Sequence, residues 1–149
     1  MKLLHKDTYL AMIRGSVGSN TYRHLYAEID GTKTDITRDG DLSCNFFVSG
    51  ILWHFRLLEE GPHANTTGFL RDLEKSGWYK TDEPQEGDIV LWEKKLGKSG
   101  ELHPHTGFYV GQGSVVTNSD GARTPVEADL SFGDRAIEAI YTHKFLRDE

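Results

Sequence analysis

The chain has 149 residues, 37% of them hydrophobic and 27% charged, with a net charge of −6 and an isoelectric point near 5.6. That length suits one domain, residues 1–149, with a single sizeable core, and the composition is that of a soluble globular protein free of repeats and low-complexity tracts. The acidic balance argues against a nucleic-acid surface, because phosphate binding needs clustered Lys and Arg and the densest basic group here is only Lys94, Lys95 and Lys98.

In chain order, residues 8–14 read as a short helix capped by Asp7 and stopped by Gly15. Residues 22–29 alternate as a strand, Asp30-Gly31 signals a hairpin turn, and residues 33–37 form the returning strand. Phe47, Val48, Ile51, Leu52, Phe55 and Leu58 recur at helical spacing, which predicts a helix over residues 44–59. A third helix starts at Thr66 or Thr67, turns Phe69, Leu70 and Leu73 inward and ends at Gly77. After the turn at residues 84–87, strands are predicted over 88–93, 106–110, 114–118 and 137–145. Helices gathered first and strands later make an α+β fold with a small antiparallel sheet.

Cys44 is the only cysteine, so no internal disulfide forms and the chain fits a reducing compartment. No apolar run is long enough for a signal peptide or a membrane span. The expectation is a protein that is cytoplasmic as synthesised and has no membrane partner, with delivery outside the cell by another route left open. Cys44 stands where a turn-forming loop runs into a helix, and Asp41 or Ser43 can cap that helix. A thiol in the first turn, beside free N–H groups and the positive dipole end, is expected to favour the nucleophilic thiolate. His105 sits at the mouth of a predicted strand. Cys44 and His105 are therefore the candidate nucleophile and base.

Three segments, in order, resemble the NlpC-type papain-like cysteine peptidases and the related CHAP amidases. Cys44-Asn45-Phe46-Phe47-Val48 is similar to the family's Cys-x-x-aromatic-Val at the head of the nucleophile helix. Residues 84–92, Pro-Gln-Glu-Gly-Asp-Ile-Val-Leu-Trp, resemble its Pro-x-x-Gly-Asp-Leu-Val-Phe-Trp strand. His105-Thr106-Gly107-Phe108-Tyr109-Val110-Gly111 resembles its His-x-Gly-Ile-Tyr-x-Gly strand. The resemblance covers residues 39–145, leaving 1–38 as an N-terminal helix and hairpin outside it. It departs from the family in having Ser43 before the cysteine and Asn45-Phe46 after it. It implies a papain-like fold, covalent acyl transfer without a cofactor, and a peptide or peptidoglycan-fragment substrate. Ser43, Asp41, Trp92 and His103 are the expected substrate-binding residues.

A catalytic imidazole needs a partner on its other nitrogen. In the resembling family that partner lies about a dozen positions further on, which counts to Thr117 with Asn118 adjacent. A two-residue Gln112-Gly113 loop pairs Gly107 with Asn118 and puts Asn118 on the His105 face, whereas a one-residue bulge favours Thr117. Asn118 is the expected third catalytic residue because an amide oxygen accepts better than a hydroxyl. Two other readings compete. His103-Pro104-His105 resembles the His-x-His of LytM-type zinc hydrolases, which also need an upstream His and Asp; His63 and Asp72 are present, in a helix setting unlike that family. A papain-like domain can also persist as a non-catalytic binding module.

Overall fold

The computed structural model describes residues 1–96 and 100–148, so Lys98 of the basic group lies outside the described residues. Helix α1 (His5–Gly15) starts ahead of the predicted residue 8 and has Leu4, not Asp7, at its N-cap. It buries Tyr9 and Ile13, one turn apart, and the Tyr9 hydroxyl donates to the Gly87 carbonyl at 2.7 Å. β1 (Tyr26–Ile29) and β2 (Thr32–Asp35) form a separate antiparallel hairpin, shorter than predicted, whose turn residues Asp30 and Gly31 both take positive φ.

Helix α2 (Cys44–His54) begins at the expected residue but stops short of residue 59. Arg56 turns left-handed there (φ 59°), and the Leu57 amide bonds back to the Leu52 carbonyl. Leu57 and Leu58 stay buried after leaving the helix, which explains why the apolar pattern ran on past its end. In α3 (Thr66–Lys75) the Asn65 side chain caps the Gly68 amide at 2.8 Å, and Phe69 and Leu73 are fully buried.

The main sheet comprises β3 (Tyr79–Lys80), β4 (Ile89–Leu96), β5 (Leu102–Gly111), β6 (Ser114–Ser119), β7 (Thr124–Asp129) and β8 (Ile137–Thr142). Its order is β3-β8-β4-β5-β6-β7, antiparallel throughout. β3 and β7 were not predicted. Helix α4 (Lys144–Arg147) replaces the end of the strand predicted to reach residue 145. The fold is α+β.

Alternation along the strands separates two clusters. Ile89, Leu91, Phe108 and Val116 join the core formed by the helices, while Val90, Trp92 and Val115 pack with Tyr109, Leu130 and Phe132 on the other face. Among the described residues, no helix is long and apolar enough to cross a membrane.

Candidate active site

One cleft of about 650 Å³ is lined by Cys44 and Asn45 from the start of α2 and by His103 and His105 from β5. Asn118, Asp120, Phe132 and Arg135 close its other side, and Asp41, Lys94 and Lys95 also reach it. Cys44 is half-buried, and among the described residues it makes no hydrogen bond to His105. Catalytic contacts often tighten only when substrate arrives.

The loop before Cys44 is fixed from several sides. Arg38, Asp39 and Gly40 are all left-handed, and the Asp39 amide donates to Asp35 Oδ2 at 2.9 Å. Asn118 Nδ2 donates to the Gly40 carbonyl, also at 2.9 Å. Gly40 is needed here, since a Cβ would fall 2.5 Å from the Arg123 carbonyl oxygen. The hairpin β1–β2 thus supplies Asp35 to the loop before Cys44. Neither expected cap forms: among the described residues the Ser43 side chain makes no cap hydrogen bond to the first turn of α2.

His105 is clasped between aromatic rings, with Phe132 stacked on it at 4.6 Å and Trp92, its cross-strand neighbour, at 5.6 Å. Its Nε2 lies 2.7 Å from Thr117 Oγ1, and the Thr117 hydroxyl donates to the Thr106 carbonyl at 2.7 Å. The single hydroxyl proton is committed to that carbonyl, so Oγ1 offers only lone pairs to the ring. That arrangement puts the imidazole proton on Nε2 and the ring lone pair on Nδ1.

The expected third residue is corrected by this geometry. Tyr109 pairs with Val115 and Gly111 with Ser114, so Val110 is the extra residue of a bulge. The shift brings Thr117, not Asn118, onto the His105 face, and the Asn118 side chain holds Gly40 instead. Gly107 lies between, where a Cβ would fall 2.7 Å from Thr117 Cβ. Only glycine leaves room for the threonine to reach the imidazole.

Electrostatics overturns the expected thiolate. Burial pushes the Cys44 thiol above its ordinary value, and the hydrogen bonds from Thr106 and Asn45 and the Arg135 cation pull it back without reversing the shift. Burial and then Arg135 push His105 down to about 3, against a hydrogen bond to the Asn118 backbone that favours the charged ring. The resting pair is thiol and neutral imidazole.

Of the other expected substrate-binding residues, Asp41 and His103 line the cleft. Ser43 and Trp92 do not, since both are fully buried; Trp92 backs the His105 ring and donates to the Leu130 carbonyl at 2.9 Å. The zinc reading lacks ligands: among the described residues the only cluster of three candidate ligands is Glu60, His63 and Asp72, outside the cleft, and none joins His103 and His105. Thr106, Asn45, Phe132 and Arg135 were not foreseen. Asn45 links the two halves of the site, accepting from the Thr106 hydroxyl and donating to Thr66 Oγ1, both at 2.9 Å. No protein-family model matches the chain, and no curated protein is significantly similar to it.

Proposed function

We propose that the protein is a cysteine peptidase or amidase in which Cys44 is the nucleophile, His105 the general base and Thr117 the residue that positions the base. The observation that carries this reading is the Thr117 relay, which fixes the His105 proton on Nε2 and leaves Nδ1 basic in a cleft shared with the thiol. As the Cys44 sulfur bonds to the substrate carbonyl carbon, His105 Nδ1 takes the thiol proton. Backbone N–H groups at the start of α2 receive the oxyanion. Collapse breaks the carbon–nitrogen bond, and the imidazolium protonates the departing amine. Water, deprotonated by the same nitrogen, then releases the acid and restores the thiol; an amine in its place would make the protein an acyltransferase.

A neutral resting pair suits this sequence, because the proton moves only as attack begins. Resemblance to the NlpC-type peptidases makes cell-wall peptides the first substrate class to test. Purified peptidoglycan should yield soluble fragments with the wild-type protein, with or without chelator, and none with Cys44→Ala. Activity lost to chelator but kept by Cys44→Ala would establish the zinc reading, and binding without cleavage would establish the non-catalytic module.

A further inference from the structure

Arg135 is set apart from the other arginines by its place in the cleft, since Arg38, Arg56 and Arg71, like it, form no ion pair among the described residues but do not line the cleft. Arg14, Arg23, Arg123 and Arg147 each form an ion pair, with Glu86, Asp39, Asp39 and Asp88 respectively. Arg135 lines the cleft beside Cys44 and His105 and forms no ion pair among the described residues. Its Nη2 donates to the His103 carbonyl at 2.8 Å, and its Nε is buried without a hydrogen-bond partner among the described residues. Glu93 and Asp120 act on it electrostatically but do not bond to it.

The segment that presents it is unusual as well. Phe132, Gly133 and Asp134 are all left-handed, with φ of 42°, 70° and 63°, and the Arg135 amide bonds back to the Ser131 carbonyl at 2.8 Å. A guanidinium has five N–H donors in a planar fork matched to a carboxylate, and leaving it partly desolvated without an anion is costly.

We propose that Arg135 makes the cleft selective for carboxylate-bearing substrates, seating a carboxylate next to the carbonyl that Cys44 attacks. This rests on the reading of Cys44 as the nucleophile. Lys94 and Lys95 also line the cleft but stand exposed, and Asp41, Asp120 and Glu138 line it with the opposite charge. The anion site is therefore local to Arg135.

Two alkylating reagents of nearly the same size test it: iodoacetate carries the carboxylate and iodoacetamide is its neutral counterpart. Each forms a sulfur–carbon bond at the single thiol and expels iodide, with the thiol proton passing to His105 or solvent. Rates at one pH and low ionic strength give a ratio, iodoacetate over iodoacetamide, to be compared with that of 2-mercaptoethanol. The wild-type ratio should exceed that of the free thiol about tenfold, the worth of one charge-assisted contact. It should fall by about the same factor in Arg135→Gln, survive in part in Arg135→Lys, and persist in Lys94→Gln/Lys95→Gln.

Any change in thiol acidity alters both rates together and cancels in the ratio. A wild-type ratio equal to that of the free thiol would overturn the proposal whether or not the variants fold. So would a ratio unmoved by Arg135→Gln, or one lost with the two lysines. The ratio needs no turnover. A protein that hydrolyses nothing but keeps the Arg135-dependent preference would sink the hydrolase reading and leave the carboxylate site standing.

Discussion

His63 and His105 each hold an oxygen 2.7 Å from Nε2, but the oxygen belongs to a carboxylate, Asp72, in the first case and to a hydroxyl, Thr117, in the second. The His63–Asp72 pair looks the more catalytic on paper. Yet Asp72 is fully buried and also accepts from the Glu59 and Glu60 amides and the Ser76 hydroxyl, all within 3.3 Å. Burial would raise its pKa, but those donors and His63 together hold it below the ordinary carboxylate value. That pair ties the chain after α2 to helix α3. At His105 the oxygen beside Nε2 belongs to an uncharged hydroxyl, and the ring lines the cleft, where the proposed mechanism uses it as a base.

The largest expected effect separates the two rings by activity. His105→Ala should slow hydrolysis roughly 10²- to 10⁴-fold, the usual worth of general-base catalysis, whereas His63→Ala should leave turnover within a few fold once folding is confirmed. Equal losses in steady-state assays of the two variants would dissolve the distinction.

Next come the partners. Asp72→Ala leaves the Glu60 amide and His63 unpaired, while the Glu59 amide keeps the Ser76 hydroxyl, and should cost about 3 kcal/mol by denaturant titration. Thr117→Val should cost only about 1 kcal/mol of stability yet lower kcat about tenfold, because it releases the His105 tautomer. If both variants lose stability and activity in the same proportion, Thr117 is merely structural.

The smallest effect is a pH dependence of stability. Folded His105 refuses a proton down to about 3, while the unfolded chain accepts one near 6.5, so stability is full above about 6.5 and falls as the pH drops toward 3. Asp72 has the opposite chemistry but loses stability in the same direction, starting lower: its contribution is present above about 3.9 and disappears on further acidification. His105→Gln should therefore flatten the decline in Tm between pH 6.5 and 4 and leave the decline below pH 4. An unchanged profile above pH 4 would mean that His105 is not held neutral.

Periodicity and turn chemistry made the helix that begins at Cys44, the β5 strand and their order readable, because an apolar stripe and a Gly-rich hairpin are local signals. The ring partner was not readable. It depended on one extra residue at Val110, and a bulge of that kind leaves no clear mark in composition. β7 escaped because Pro125 interrupts it, which is tolerated only because β7 is an edge strand. α4 has four residues, too few to show a period. Phe132 and Arg135 reach the site through a left-handed turn that includes two non-glycine residues, and no sequence pattern connects that turn to Cys44.

The central claim, acyl transfer through Cys44 with His105 as base, is tested most directly by catching the acyl group. Mass analysis of the protein during turnover of p-nitrophenyl acetate, followed by peptide mapping, should find a hydroxylamine-sensitive acetyl thioester on Cys44, formed far more slowly in His105→Ala. Ester hydrolysis that proceeds at the same rate in Cys44→Ala, with no adduct on the wild-type protein, would contradict the account.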